Sequence, residues 1–267
     1  MFFADCHTHS SCSPDGSIPM AEMARTAVQY GLSCLTLTDH CDLLSLEGAP
    51  TPTFDWAPLR AQRTEMLARY GTQLDLPYGL EFGCGHLDPA ASDKILSEPG
   101  LDFVIGSVHN LSPAAGGKDF YFVPYESTED CVRALDDYFA SLLVLAAGPY
   151  YDVMGHIIYP LRYMTGDFDR PDLRRWRDEI HEILRLAAES GRGIEINTWK
   201  GQTLGEWLPI LREFRSVGGE FITVGSDAHA TEPIGRGVRA AYQMMQDCGF
   251  RYAAVYHERK PDMYKLD

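Results

Sequence analysis

Asp5-Cys6-His7-Thr8-His9 follows the apolar start Phe2-Phe3-Ala4 and runs into Ser10-Ser11-Cys12-Ser13-Pro14-Asp15-Gly16, a turn-rich loop. Alternate side chains of a β-strand share a face, so Asp5, His7 and His9 are expected to point the same way. Two imidazoles converging at a strand end, ahead of a loop, are most commonly brought together by a metal ion. The stretch therefore predicts a fold in which later strands deliver further ligands to the same point.

The rest of the chain reads as strand, loop, helix, repeated. Pro19 to Tyr30 carries Met20, Met23, Ala24 and Ala27 at helical spacing and stops at Gly31. Ser33 to Thr38 is a β-prone run that ends in Asp39-His40. A helix from Asp55 to Tyr70 leads to a third strand, Leu74 to Phe82, with Glu81 near its end. A short helix at Ala91 to Leu96 precedes the strand Asp102 to Val108, which ends in His109. Residues 110–122 are rich in Gly, Pro and Ser and read as a loop placed to act as a lid.

Helix Glu129 to Ala147, strand Tyr151 to Met154 and His156 come next. Then follow helix Pro171 to Ser190, strand Gly193 to Asn197 and helix Glu206 to Ser216. Strand Phe221 to Val224 runs into Gly225-Ser226-Asp227-Ala228-His229. Helix Gly237 to Asp247 and the apolar run Tyr252 to Tyr256 close the chain. Seven strands alternating with helices predict a parallel α/β barrel, with polar residues at the strand ends where barrel active sites lie. No linker, charge block or repeat divides residues 1–267, so one domain is expected.

Bulk composition narrows the function. The 267 residues are 45% hydrophobic, ample for a core, and carry a formal charge of −15. That balance argues against binding a nucleic-acid backbone, yet leaves room for a small phosphorylated substrate if metal ions supply local positive charge. Seven cysteines without C-x-x-C spacing read as reduced thiols. Acidic and imidazole side chains interrupt the N-terminal stretch before any apolar segment forms. The longest apolar run, Leu142 to Ala147, is too short to span a bilayer. A cytoplasmic protein without a membrane partner is the expectation, and oligomeric state is left open.

Six of the nine histidines fall at or just past predicted strand ends: His7, His9, His40, His109, His156 and His229. A lone histidine is usually an ordinary hydrogen-bonded residue, but six at one topological location, accompanied by Asp15, Glu81 and Asp227, are not. Nitrogen and oxygen ligands without cysteine suit Zn, Mn or Fe. The set is too large for one ion and would hold two or three.

In order and spacing, His7-x-His9, Asp15-Gly16, Thr38-Asp39-His40, Gly79-Leu80-Glu81, Gly106-Ser107-Val108-His109, Gly155-His156 and Gly225-Ser226-Asp227-Ala228-His229 resemble the polymerase and histidinol phosphatase (PHP) superfamily. Gly-Ser-Val-His at 106–109 and Gly-Ile-Glu-Ile-Asn-Thr at 193–198 look most like its histidinol-phosphatase branch. The resemblance implies a distorted (β/α)7 TIM-like barrel with a trinuclear centre. His7, His9, Glu81 and Asp227 would hold the first ion. Glu81, bridging, with His109 and His156 would hold the second, and Asp15, His40 and His229 the third. Asp5 and Asp39 look like outer partners that fix imidazole tautomers, with a buried acid satisfied by backbone amides as the alternative.

Three dications against these carboxylates and one hydroxide leave a centre of about +2, matched to a phosphomonoester dianion. A metal-bridging hydroxide would attack phosphorus without a protein nucleophile. Arg162 and Lys200 would clamp phosphate oxygens, as basic residues of the corresponding loops do in related histidinol phosphatases. Trp199-Lys200-Gly201 departs from the Ser-Gly-rich loop expected there. Asp227, His229 or a metal-bound water would serve the leaving group.

The resulting expectation is hydrolysis of L-histidinol phosphate in histidine biosynthesis. Another small phosphate ester on the same centre and a non-catalytic metal-stabilised domain are the rivals. No C-x5-R, P-loop, G-x-G-x-x-G or G-x-S-x-G motif offers different chemistry. His86, His181 and His257 are assigned no role.

Overall fold

The computed structural model describes residues 2–202 and 204–266. Its first strand, β1 (Ala4–Thr8), is buried along its whole length, as parallel strands covered on both faces are. Helix α1 (Met20–Gln29) buries Met20, Met23, Ala24 and Ala27, the face that their spacing marks out. The second predicted strand is split into β2 (Cys34–Leu37) and β3 (His40–Asp42), with Thr38-Asp39 at the break. Helix α2 (Ala57–Tyr70) follows.

Strand β4 (Gly79–Gly83) begins five residues later than expected from Leu74, because Pro77 has no amide to donate to a ladder. Then come α3 (Pro89–Leu96), β5 (Phe103–Ser107), α4 (Thr128–Ala147), β6 (Val153–Met154) and α5 (Arg177–Glu189). Strand β7 (Gly193–Asn197), α6 (Trp207–Ser216), β8 (Ile222–Gly225) and α7 (Val238–Asp247) complete the alternation.

Strands β3 to β8 form one parallel sheet in chain order, and β1 pairs with β2. Parallel bridges from Cys34 to Asp75 and from Leu37 to Tyr78 join β2 to the segment entering β4. On the other side Asp227 N–H donates to the His7 carbonyl at 2.9 Å and His9 N–H to the Ala228 carbonyl at 2.8 Å. These contacts close the sheet. With β2 and β3 counted as one broken stave, the α/β fold is the distorted seven-stave barrel that the resemblance implies.

Two features add to the expected pattern. The last apolar run lies outside the seven barrel staves. It is β9 (Tyr252–His257), paired antiparallel with β10 (Lys260–Lys265), whose charged, mostly exposed sequence gave no strand signal. Ala254, Val255 and Tyr256 pack with Ala4, Cys34, Phe103 and Val153, all in the first halves of their strands, so the hairpin stops the barrel end away from the histidines. The 110–122 segment carries two short 3-10 turns rather than open coil. Ser112 is held by both Asp137 oxygens, and Asn110 donates to the carbonyls of Ser45 and Gly117. Among the described residues no helix is long and apolar enough to cross a membrane.

Candidate metal centre

Barrel closure brings the strand-end residues to one place. His7 lies within β1, His9 just past it, His40 opens β3, and Glu81 is central in β4, opposite His40 in the ladder. His109, His156 and Asp227 each sit two residues beyond the ends of β5, β6 and β8. His7, His9, Glu81, His109, His156 and Asp227 are buried, although charged and imidazole groups avoid dry interiors unless they are paired or ligate a metal.

Four ligand atoms meet at the first position. His7 Nε2 is 3.0 Å from His9 Nε2, 3.2 Å from Glu81 Oε2 and 3.6 Å from Asp227 Oδ1. His9 Nε2 is 3.4 Å from both carboxylate oxygens. A tetrahedral ion with bonds of about 2.0–2.2 Å has ligand-to-ligand edges of about 3.3–3.6 Å, close to these separations, with His7–His9 and His7–Glu81 just under that range. At the second position Glu81 Oε1 is 3.1 Å from His109 Nε2 and 2.7 Å from His156 Nε2, with 3.3 Å between the two nitrogens. Glu81 thus turns one oxygen to each group, as a bridging carboxylate does.

The third group is looser. Asp15 Oδ2 lies 2.9 Å from His229 Nε2 and 3.7 Å from His40 Nε2, and the Asp15 side chain is 57% exposed. His9, His40 and His229 also form a compact triple, as do His40, Asp42 and His109. Clustered His, Glu and Asp ligand groups therefore occupy the carboxyl end of the barrel. Four buried side-chain atoms of this cluster, His40 Nδ1, Glu81 Oε2, His156 Nδ1 and His229 Nε2, have no hydrogen-bond donor or acceptor in proper geometry among the described residues, and Glu81 Oε2 and His229 Nε2 face the candidate ligand groups. A cation ligated there would supply the missing partner.

Electrostatics separate the imidazoles. Burial opposes charging His7, but the Glu195, Glu81 and Asp227 carboxylates outweigh it and lift its pKa well above the ordinary value. Burial likewise opposes charging His109, and Glu81 and Asp42 raise it; for His40, Glu81 and Asp42 overcome burial to push it up to about 9. Burial, with His40 and His229 nearby, holds His9 well below the imidazole range, and burial lowers His156. Burial favours protonating Glu81 and Asp227, yet His7 and its neighbours keep both carboxyls ionised far below their usual range.

Backbone and supporting residues complete the site. Asp227 has φ of 59°, a left-handed conformation that Asp tolerates better than most residues but that still stores strain. Its Oδ1 faces His7 and His9, while Oδ2 accepts from Arg162 at 2.7 Å and from Asn197 Nδ2 at 3.2 Å. Arg162 also donates to Asn197 Oδ1 at 2.7 Å, and its guanidinium lies 4.1 Å from the centre of the Trp199 ring. The Lys200 amine stands 4.7 Å from the same ring, on a residue with φ of 58°. Ser107 donates to Glu81 at 2.7 Å and acts as a strand residue.

Asp5 and Asp39 contact no imidazole directly. The register between β1 and β2 slips between Asp5 and Thr8, so simple alternation fails there. Asp5 accepts from the backbone amides of Ser226 and Gly235, and Asp39 from Ser10 and Ser13. The Asp39 side chain is linked to the site through Ser13, whose hydroxyl is 3.2 Å from His9 Nδ1. The carboxylates that stand against imidazole Nδ1 atoms are instead Glu195, 2.6 Å from His7 Nδ1, and Asp42, 2.6 Å from His109 Nδ1. Both had a signal: an acid between isoleucines in β7, and an acid two residues after His40. His181 and His257 form exposed ion pairs, and His86 stands outside the cluster.

Comparisons with known proteins place the fold and the family. The PHP domain family matches residues 5–199. A histidinol-phosphatase of Lactococcus lactis is 26% identical over 98% of this chain and 97% of its own length. A probable histidinol-phosphatase of Clostridium acetobutylicum is 24% identical over 96% of this chain and 97% of its own. The crystal structure of L. lactis histidinol phosphate phosphatase complexed with Zn, L-histidinol and phosphate superposes with a TM-score of 0.82. It covers 97% of this chain and 98% of that one at 26% identity. With the family match spanning more than half of its residues, the chain belongs to the PHP domain family.

Proposed function

We propose that this chain is a metal-dependent phosphomonoesterase that hydrolyses L-histidinol phosphate to L-histidinol and phosphate, a step of histidine biosynthesis. The observation that carries the chemistry is the convergence of Glu81 and Asp227 oxygens on the Nε2 atoms of His7 and His9 at 3.2–3.6 Å, with Glu81 shared with His109 and His156. The substrate is supported by the full-length similarity to histidinol-phosphatases and by the L. lactis complex with Zn, L-histidinol and phosphate.

His7, His9, Glu81 and Asp227 would hold one divalent ion, Glu81, His109 and His156 a second, and Asp15, His40 and His229 a third. The ligand chemistry suits Zn, Mn or Fe, and the L. lactis complex favours Zn among them. Such ions supply Lewis acidity and the activated water that phosphate-ester hydrolysis needs. Arg162, buried beneath Asp227 and Asn197, has guanidinium hydrogens left to meet a phosphate oxygen. Lys200 is the second cation on that side. Asp227, salt-bridged and ionised, is poorly suited to donate a proton, which leaves His229 or water to protonate the departing alkoxide.

The working unit is the whole chain, 1–267. Seven cysteines free of disulfides fit the reducing cytoplasm, and −15 fits a small-molecule substrate rather than nucleic acid. The test is phosphate release by Zn-loaded protein from L-histidinol phosphate, a sugar phosphate, a nucleoside monophosphate and a phosphodiester. Preference for L-histidinol phosphate by at least about tenfold in kcat/KM, lost in H7A and D227N, is expected. Release from the other esters alone would retire the substrate and keep the chemistry. No release from any, or full activity in both variants, would retire the chemistry.

A further inference from the structure

Glu195 is fully buried in the middle of β7, between Ile194 and Ile196, where an ionised side chain is costly unless every lone pair is used. Oε1 is 2.6 Å from His7 Nδ1, and Oε2 accepts from the backbone amide of His156 at 3.0 Å. Asn197 Nδ2 stands 3.3 Å from both oxygens. One carboxylate therefore grips a ligand side chain of the first metal position and the main chain of a ligand of the second. The fold keeps room for it: a Cβ on Gly225 would fall 2.4 Å from Glu195 Oε1 and 2.2 Å from His7 Cβ.

Because a carboxylate only accepts, the short contact places the proton of His7 on Nδ1. In the neutral ring that a metal ion requires, the lone pair is then on Nε2, aimed at the point shared with His9, Glu81 and Asp227. The opposite tautomer would turn an N–H toward the ion. Since the His156 ring has no partner for its own Nδ1 among the described residues, its placement depends more heavily on its main chain.

We infer that Glu195 is a positioning residue for the metal centre, fixing the Nδ1–H tautomer of His7 and splinting His7 to the His156 backbone so that two metal positions form together. This inference rests on reading the cluster as a metal centre. Glu195→Gln keeps the size but offers one acceptor and one donor group. It can accept from His7 or from the His156 amide through its single oxygen, and its NH2 opposes whichever donor remains.

The experiment titrates Zn²⁺ into metal-free protein against a chromophoric chelator, for wild type and E195Q, with thermal melts of both metal-free forms. An affinity loss of about 10- to 100-fold at the tightest position, with unchanged melting, is expected. Affinity within twofold of wild type overturns the inference. If wild type itself takes up no Zn²⁺, the metal reading falls and this inference with it; binding by wild type with an indifferent E195Q removes Glu195 alone. If E195Q does not fold, histidine ¹⁵N NMR of Zn-loaded wild type decides. A proton directly coupled to His7 Nδ1 supports the role, and one on Nε2 overturns it.

Discussion

Asp227 joins the candidate metal position to the Arg162 and Asn197 network behind it. One of its oxygens faces His7 and His9, and the other is held by Arg162 and Asn197, all on a left-handed backbone. Arg162 is itself buried, so removing it strands a buried carboxylate. R162A is expected to destabilise the metal-free protein by about 3–5 kcal/mol, read from denaturant melts. R162K retains the charge but cannot span Asp227 Oδ2 and Asn197 Oδ1 together, so it should recover only part of that loss. D227N tolerates the same backbone conformation and isolates the charge. Its expected signature is a folded protein with weakened Zn²⁺ binding and phosphatase activity reduced at least about 100-fold.

At the level of elements, the centre depends on how closely strands β1, β7 and β8 approach. Gly225 at the end of β8 has no room for a Cβ beside His7 and Glu195, both of which are backed by rigid strands. G225A should displace them by close to an ångström. The expected result is at least about 2 kcal/mol of lost stability from overpacking together with reduced Zn²⁺ stoichiometry, measured by melts and elemental analysis.

The loop carrying Asp15 lies at the other extreme. Asp15, His40 and His229 are partly exposed, with a 3.7 Å gap between the first two, and no carboxylate sits as close behind their rings as Glu195 does behind His7. Graded chelation of the loaded protein should therefore remove this ion first. D15A should lose about one equivalent while the other positions stay filled.

Across the whole molecule, protons and metal ions compete for the same cavity. The metal-free barrel places His7, His40 and His109 against Glu81, Glu195 and Asp42, and the carboxylates raise all three imidazoles, His40 to about 9. A raised folded-state pKa adds stability that is fully present below the unfolded value of about 6.5 and is lost as pH climbs through the folded value. This contribution to the Tm of metal-free protein should therefore decline between about pH 6.5 and 9. Zn²⁺ must displace those protons, so its affinity should rise over the same window, with proton release detectable in weakly buffered titrations. A Tm contribution growing with pH, or uptake without proton release, would contradict this arrangement.

Much of the barrel was legible from short-range pattern. The helical face of α1, the limits of β7 and the strand-end positions of His7, His109, His156 and Asp227 follow from local periodicity and from where apolar runs stop. The split of β2 from β3 and the charged strand β10 were not, because both are defined by partners rather than by composition.

The candidate ligands were likewise identifiable by type and location, since only a few side chains bind divalent ions and barrels gather them at one end. Which acid stands behind which imidazole was not. Glu195 and His7 are 188 positions apart, and Asp42 and His109 are 67 apart. A carboxylate in a strand has no local mark of its partner. Asp5 and Asp39 looked suitable for that role, until barrel closure turned one toward backbone amides and the other toward serine hydroxyls. Residue chemistry and local periodicity set the kind of site. The register of the closed sheet set its wiring, because hydrogen bonds of this length form only where the backbone brings the two groups together.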